Sequence, residues 1–193
     1  ASADDSTLNL TITNASGSAN NITIDANSNA DTTVNVGGTI GLTGTLHVGA
    51  NDGTATALFA ELTGAFGDID VNASNDATVS LDIATLSGDI TDFTVAADNS
   101  TIDVTTSNNG SDDIVNITNL TATASLGSDV AVSLDGNTNF LNDSEDFADI
   151  LASADDSTLN LTITNASGSA NNITIDANSN ADTTVNVGGT IGL

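Results

Sequence analysis

Residues Ala1 to Leu42 return, letter for letter, as Ala152 to Leu193, at a constant offset of 151 and without one substitution. Copies under ordinary selection drift at solvent-facing positions. Identity therefore points to recent duplication, active homogenisation or a stretch of a longer tandem array, and the array is the favoured reading. On it, residues 1–151 are one β-rich unit and residues 152–193 the first part of an identical next unit, with arbitrary ends.

The pattern inside the unit is that of strands. In "TLNLTIT", Leu8, Leu10 and Ile12 alternate with Asn9, Thr11 and Thr13, the period of two that sets apolar groups on one face. "NITID" (21–25), "TVNV" (33–36), "TLHV" (45–48), "DIDV" (68–71), "TVSLDI" (78–83), "STIDV" (100–104), "IVNI" (114–117) and "VAVSL" (130–134) repeat it. Thr, Val and Ile suit a pleated surface. Asn, Asp, Ser and Gly clusters, among them Asp52-Gly53, Asn109-Gly110 and Asp135-Gly136, punctuate the runs as turns. Only "ATALFAEL" (55–62) and "NDSEDFADILASA" (142–154) have a composition that admits a short helix, the second with Phe147, Ile150 and Leu151 at helical spacing.

The turn-to-strand boundary itself recurs in "ADDSTLNL", "SNADTTVNV", "SNDATVSL" and "ADNSTIDV". Taking Leu8, Val34, Leu58, Val79, Ile102, Val130 and Leu159 as equivalent gives successive steps of 26, 24, 21, 23, 28 and 29. Steps in the twenties predict an all-β fold of the β-solenoid type, short-strand coils stacked on one another. Six coils at about 4.8 Å would make each unit a rod roughly 29 Å long. The rival is a string of Greek-key β-sandwiches. A sandwich core usually draws on large aromatics, whereas this chain has no Pro, Trp or Tyr and five Phe, so the thin core of a solenoid fits better.

With 24 Asp, 2 Glu, one His and no Lys or Arg, the formal charge is −26. Side-chain cations to neutralise phosphates are absent, so neither nucleic acid nor an anionic lipid surface is an expected partner. Disorder is not expected either, because 38% of residues are apolar and periodic. No cysteine provides a disulfide or a thiolate site. "ASADDSTLNL" has no basic or continuous apolar leader character, and no segment approaches the roughly 18 apolar residues of a membrane span. The sequence reads as mature and soluble, with any signal or anchor outside it.

Catalysis is not expected. Cys, Lys, Arg and Tyr are missing, and the single His47 lies between Leu46 and Val48, on the outward face of its strand, where a solvated side chain is the expectation. A carboxylate pair of the glycosidase kind is formally available, but nearly all the acids are short Asp residues in repeated turns, where turn chemistry alone would place them.

Those same residues are oxygen donors suited to a hard cation. Asp25, Asn27, Asn29 and Asp31 alternate along one turn and return as Asp176, Asn178, Asn180 and Asp182. Asp135, Asn137, Asn139, Asp143 and Asp146 resemble positions 1, 3, 5, 9 and 12 of an EF-hand loop, departing from it at Phe140 and in having Asp146 for the bidentate Glu. "NNGSDD" (108–113) and Asp4-Asp5 are weaker sets. The competing reading needs no metal, since Asp and Asn cap turns by themselves. Uncompensated charge along a rod nevertheless demands screening, and weak Ca2+ sites in the range of about 10⁻⁴ to 10⁻³ M would provide it.

Asn-x-Ser/Thr sequons occur at Asn9, Asn14, Asn21, Asn72, Asn99, Asn109, Asn116, Asn119 and Asn142. At Asn9, Asn21, Asn116 and Asn119 strand alternation suffices to write them. Asn14, Asn72, Asn99, Asn109 and Asn142 are expected in turns, where a glycan would fit.

"TIDANSNADTTVNVGG" and "NNGSDDIVNITNLTATASLGSD" resemble, in composition, the repetitive regions of prokaryotic S-layer proteins, calcium-dependent giant adhesins and haemagglutinin-type surface proteins. The G-G-x-G-x-D nonapeptide of calcium-binding toxin repeats is missing. The resemblance implies secretion to the cell surface, calcium dependence and assembly. With it, the reading is a structural extracellular rod whose copies join head to tail in a filament, sheath or S-layer. The alternatives are the passive extender of a giant adhesin, subunits of a strand-donating filament and, last, a carbohydrate-active solenoid.

Overall fold

A computed structural model describes residues 1–107, 115–140 and 148–192. In chain order its strands are β1 (Ser2–Asp4), β2 (Thr7–Ala19), β3 (Ile22–Asn27), β4 (Asp31–Leu42), β5 (Leu46–Asn51), β6 (Thr54–Ser74), β7 (Thr78–Ile83), β8 (Leu86–Asp98), β9 (Thr101–Ser107), β10 (Val115–Ser125), β11 (Asp129–Phe140), β12 (Ala148–Asp155), β13 (Thr158–Gly168), β14 (Ala170–Asn178) and β15 (Asp182–Gly189). Every pairing between them is parallel, and each strand lies beside the one a turn of chain away. The protein is a β-solenoid of about seven turns. Among the described residues there is no helix: 55–62 lies inside β6, and the described part of 142–154 belongs to β12. The described residues of both stretches pair in parallel with neighbouring coils, and tertiary pairing overrides weak helical propensity.

Three faces wind around the core. One carries β1, β3, β5, the end of β6, β8, β10, β12 and β14, and the second carries β2, β4, the start of β6, β7, β9, β11, β13 and β15. The third is made where long strands bend round a corner, as at Leu86–Ile90 against Leu62–Phe66. There the backbones stack so closely that a Cβ on Gly88, at φ 121°, would run into the carbonyl of Gly64.

The predicted stacking of Val79, Ile102, Val130 and Leu159 is observed. The earlier part of that register needs correction. Val34 lies between Leu10 and Ala57, and Leu58 faces outward on the rung of Asn35 and Asp82. Small Ala55 and Ala57 fill the interior there together with Phe59, while the larger Leu58 between them points out. On the second face the rung that begins at Thr7 passes to Asp31, Thr54, Thr78 and Thr101, in steps that alternate between 24 and 23.

The alternation has a local cause. Between the first and second faces, two-residue turns with one left-handed residue (Asp5, Asp52, Asn99, Asp156) alternate with three-residue turns holding two (Ser28-Asn29, Asn75-Asp76, Leu126-Gly127, Ser179-Asn180). Asn and Asp tolerate positive φ better than other side chains, which explains their concentration there. The offset of 151 spans six turns, from β1 to β12, an even number, so the identical copy meets the same turn type.

Core size is graded toward that corner. Ala3, Ala26, Ala50, Ala73, Ala97, Ala124, Ala154 and Ala177 form one unbroken column at the narrowest point. Two residues earlier the column is Ile24, Val48, Val71 and Val95, and two earlier again Leu46, Ile69, Phe93 and Leu120. The buried hydroxyls Ser100, Ser128 and Ser157 each accept the backbone N–H of the preceding coil's turn, at 3.1 Å, so that no described buried side-chain polar atom lacks a partner.

The two identical segments occupy opposite ends of the stack and are covered on opposite sides. Leu10 is 40% exposed while its counterpart Leu161, under β11, is 0%. Ile24, beneath β5, is 1% exposed while its counterpart Ile175 is 51%. Identical substitutions should therefore differ in outcome. Ile24→Asp buries an unpaired carboxylate, costs about 3–5 kcal/mol and should erase hydrogen-exchange protection in β3 and β4. Ile175→Asp should stay within about 0.5 kcal/mol and leave protection unchanged.

Candidate functional site

The acids expected as turn ligands are divided between the outer corners and the outward faces of the strands. Asp25 lies on β3 with its side chain outward, and its backbone carbonyl accepts the Thr32 hydroxyl at 2.7 Å. Asn27 closes β3, Asn29 is left-handed at φ 61°, and exposed Asp31 opens β4 on the next face. The second copy keeps the arrangement: the Asp176 carbonyl accepts from Thr183 at 3.2 Å, Asn178 closes β14, Asn180 has φ 67° and Asp182 opens β15. Asp25 and Asp31 thus belong to different faces. What the corner does gather is Asn29 and Asp31 with Asp52 and Asp76 of the following turns, lining one shallow groove.

Asp135 and Asn139 lie on strand β11. Asp135 Oδ1 accepts from Thr164 at 2.8 Å, and Asn139 donates to Asn116 Oδ1 at 2.9 Å. Nothing is described of the Asn137 side chain, and Asp143, Asp146 and the "NNGSDD" set lie outside the described residues. Among the described residues no group of three or more His, Cys, Asp or Glu is placed to hold a metal ion by itself.

Carboxylates in a chain without Lys or Arg find their hydrogen-bond donors in amides of the adjacent coil. Asn116 donates to Asp89 at 2.6 Å, Asn119 to Asp92 at 2.8 Å, Asn172 to Asp149 at 2.9 Å and Asn99 to Asp76 at 2.7 Å. On one row the order is Asp68, Asp92, Asn119, Asp149, Asn172: amides alternate with acids from Asp92 onward, while Asp68 and Asp92 are direct neighbours. Such bonds to an ionised acceptor are short and stronger than neutral ones. The same amides write several of the sequons. Asn99 does sit in a turn, whereas Asn14 and Asn72 belong to strands β2 and β6; Asn109 and Asn142 lie outside the described residues.

His47 is not the free solvated side chain expected. Its ring is half-buried between coils, with Nε2 3.3 Å from Asp25 Oδ1 and Nδ1 2.9 Å from Asp70 Oδ2, while Asn72 donates to Asp70 Oδ1 at 2.7 Å. Both ring nitrogens face carboxylates, so only the imidazolium can donate to both. The step of 23 from His47 to Asp70 was readable in the sequence, but only with the correct coil register in hand.

Compared with family models, with curated proteins and with solved structures, the chain matches none. The observed arrangement is a long exterior of hydrogen-bonded acid and amide rows. Asn119→Asp would complete a run of four carboxylates on successive rungs, Asp68, Asp92, the new acid and Asp149, and His47→Asp would set a carboxylate directly opposite Asp70. Like charges directly opposite destabilise by up to about 1 kcal/mol per pair. Urea denaturation should show that loss at low salt and its recovery in 1 M NaCl, where the screening length falls to about 3 Å.

Proposed function

We propose that this chain is part of a structural rod built of tandem coils, working mechanically at the cell surface within a filament, sheath or S-layer. The observation that carries the reading is the identical segment, Ala1–Leu42 and Ala152–Leu193, which takes the same turns and the same strand order at positions six coils apart. A stack with that property continues without change of pitch for as many units as are supplied. The absence of Lys and Arg supports it as well, because material persisting outside cells gains from offering trypsin-like proteases no site.

Calcium enters as a counter-ion held weakly along the corner groove of Asp31, Asp52 and Asp76, between turns rather than inside one of them. Titration of the chain to about 10 mM CaCl2 tests this. With a dissociation constant of about 1 mM, each site adds about 1.4 kcal/mol. For a chain of this size that raises Tm by roughly 3–6 °C per site. The comparison is NaCl of equal ionic strength, with circular dichroism and negative-stain microscopy at each end point. A Tm indifferent to calcium and to chelator, with no filaments, moves the reading to the passive extender of a giant adhesin.

A further inference from the structure

His47 is the one basic side chain in a sequence without Lys or Arg, and three consecutive coils are arranged around it. Strand β3 supplies Asp25, with Oδ1 3.3 Å from Nε2, and the end of β6 supplies Asp70, with Oδ2 2.9 Å from Nδ1. Asn72 donates to the other Asp70 oxygen at 2.7 Å and so fixes the angle of that carboxylate. All three strands have paired neighbours on both sides. We propose that His47 is a proton-operated clasp: charged, it ties β3, β5 and the end of β6 together, and it releases them when the proton leaves.

Room for the ring comes from Gly49. It follows His47 by two residues on the outward face, on the rung of Asp25 and Asn72, and a Cβ there would stand 2.7 Å from Nε2. Although it faces outward, Gly49 is buried, because the imidazole lies over it. The ring thereby reaches Asp25 diagonally across one coil while it faces Asp70 directly across the next. A side chain at position 49 would hold the ring away from Asp25.

The charged side chains facing the ring are all acids. Strand β3 contributes Asp25, and β6 contributes Asp70 and, two residues earlier on the same outer face, Asp68, which stands beside Asp92 of β8. The Ala1 ammonium is engaged by the Thr23 carbonyl on the β1 side of β3. A neutral ring carries one N–H and turns a lone pair toward the other carboxylate, whereas the charged ring donates to both. Only the folded chain offers both acceptors, so it holds this proton more firmly than the unfolded chain does. The stability linked to it is full on the acid side of the histidine range and lost as pH rises through it. Both carboxylates must be ionised, which sets the working window at about pH 5 to 8. The clasp operates alike in a long rod and in one isolated chain.

Because the chain has a single His, its ring can be followed by 15N NMR without overlap. The midpoint of the ring titration in the folded chain should lie above that of the same chain unfolded in urea. It should fall by about half a pH unit or more, roughly threefold in proton affinity, in Asp70→Asn and in Gly49→Ala. Gly49→Ala alters no charge, and Asp82→Asn, on the second face, removes one elsewhere and should leave the midpoint in place. The melting temperature of the parent should also fall relative to that of His47→Gln between about pH 5.5 and pH 8. Equal midpoints in the folded and unfolded chain, or a midpoint that either Asp70→Asn or Gly49→Ala leaves unmoved, overturn the clasp. So does a shift matched by Asp82→Asn, which assigns the effect to net charge, or a parent that tracks His47→Gln at both pH values.

Discussion

Everything in this molecule hangs on the parallel backbone ladder between successive coils. Each strand finds its donors and acceptors one full coil away in the chain, so positions a turn apart are forced into contact on the same rung. A parallel stack repeats its cross-section, and whatever stands at one level must tolerate nearly the same thing above and below it. The alanine column answers that demand at the narrow corner, the Ile, Val, Leu and Phe columns where the section widens. The buried Ser100, Ser128 and Ser157 answer it in polar form, each hydroxyl serving the turn of the coil before.

The same constraint governs charge. A rod carrying −26 cannot leave its acids stacked on one another without self-repulsion. Amides interleave with carboxylates on the row of Asp92, Asn119, Asp149 and Asn172, and the one imidazole sits between Asp25 and Asp70. These arrangements supply hydrogen-bond donors without supplying charge, except where His47 is protonated. The net field stays negative, and it draws mobile cations to the surface.

Repetition also sets what the ends are. Identical segments are buried on opposite sides, so each shows what the other lacks: Leu161 beneath β11 is Leu10 completed, and Ile24 beneath β5 is Ile175 completed. An even number of coils between copies keeps the two turn types in step. A different parity would have set a two-residue turn on another of its kind and shifted the strands that follow.

The sequence by itself determined that the chain is all-β, that its strands recur at steps in the twenties, and that its interior is thin and its surface acidic. Period-two alternation and an exact internal repeat are local, countable properties, so they survive without coordinates. Only the tertiary structure decided the register. Leu58 has the composition of a core residue and faces outward, because the pleat is fixed by Ala55, Ala57 and Phe59 beside it. Asp25 and Asp31 read as one ligand set and lie on two faces, because a left-handed turn separates them. His47 reads as solvated and is held between two carboxylates, because Asp25 stands one coil before it and Asp70 one coil after. Contacts between coils depend on the exact length of every turn, and one residue more or less moves each side chain to the opposite face.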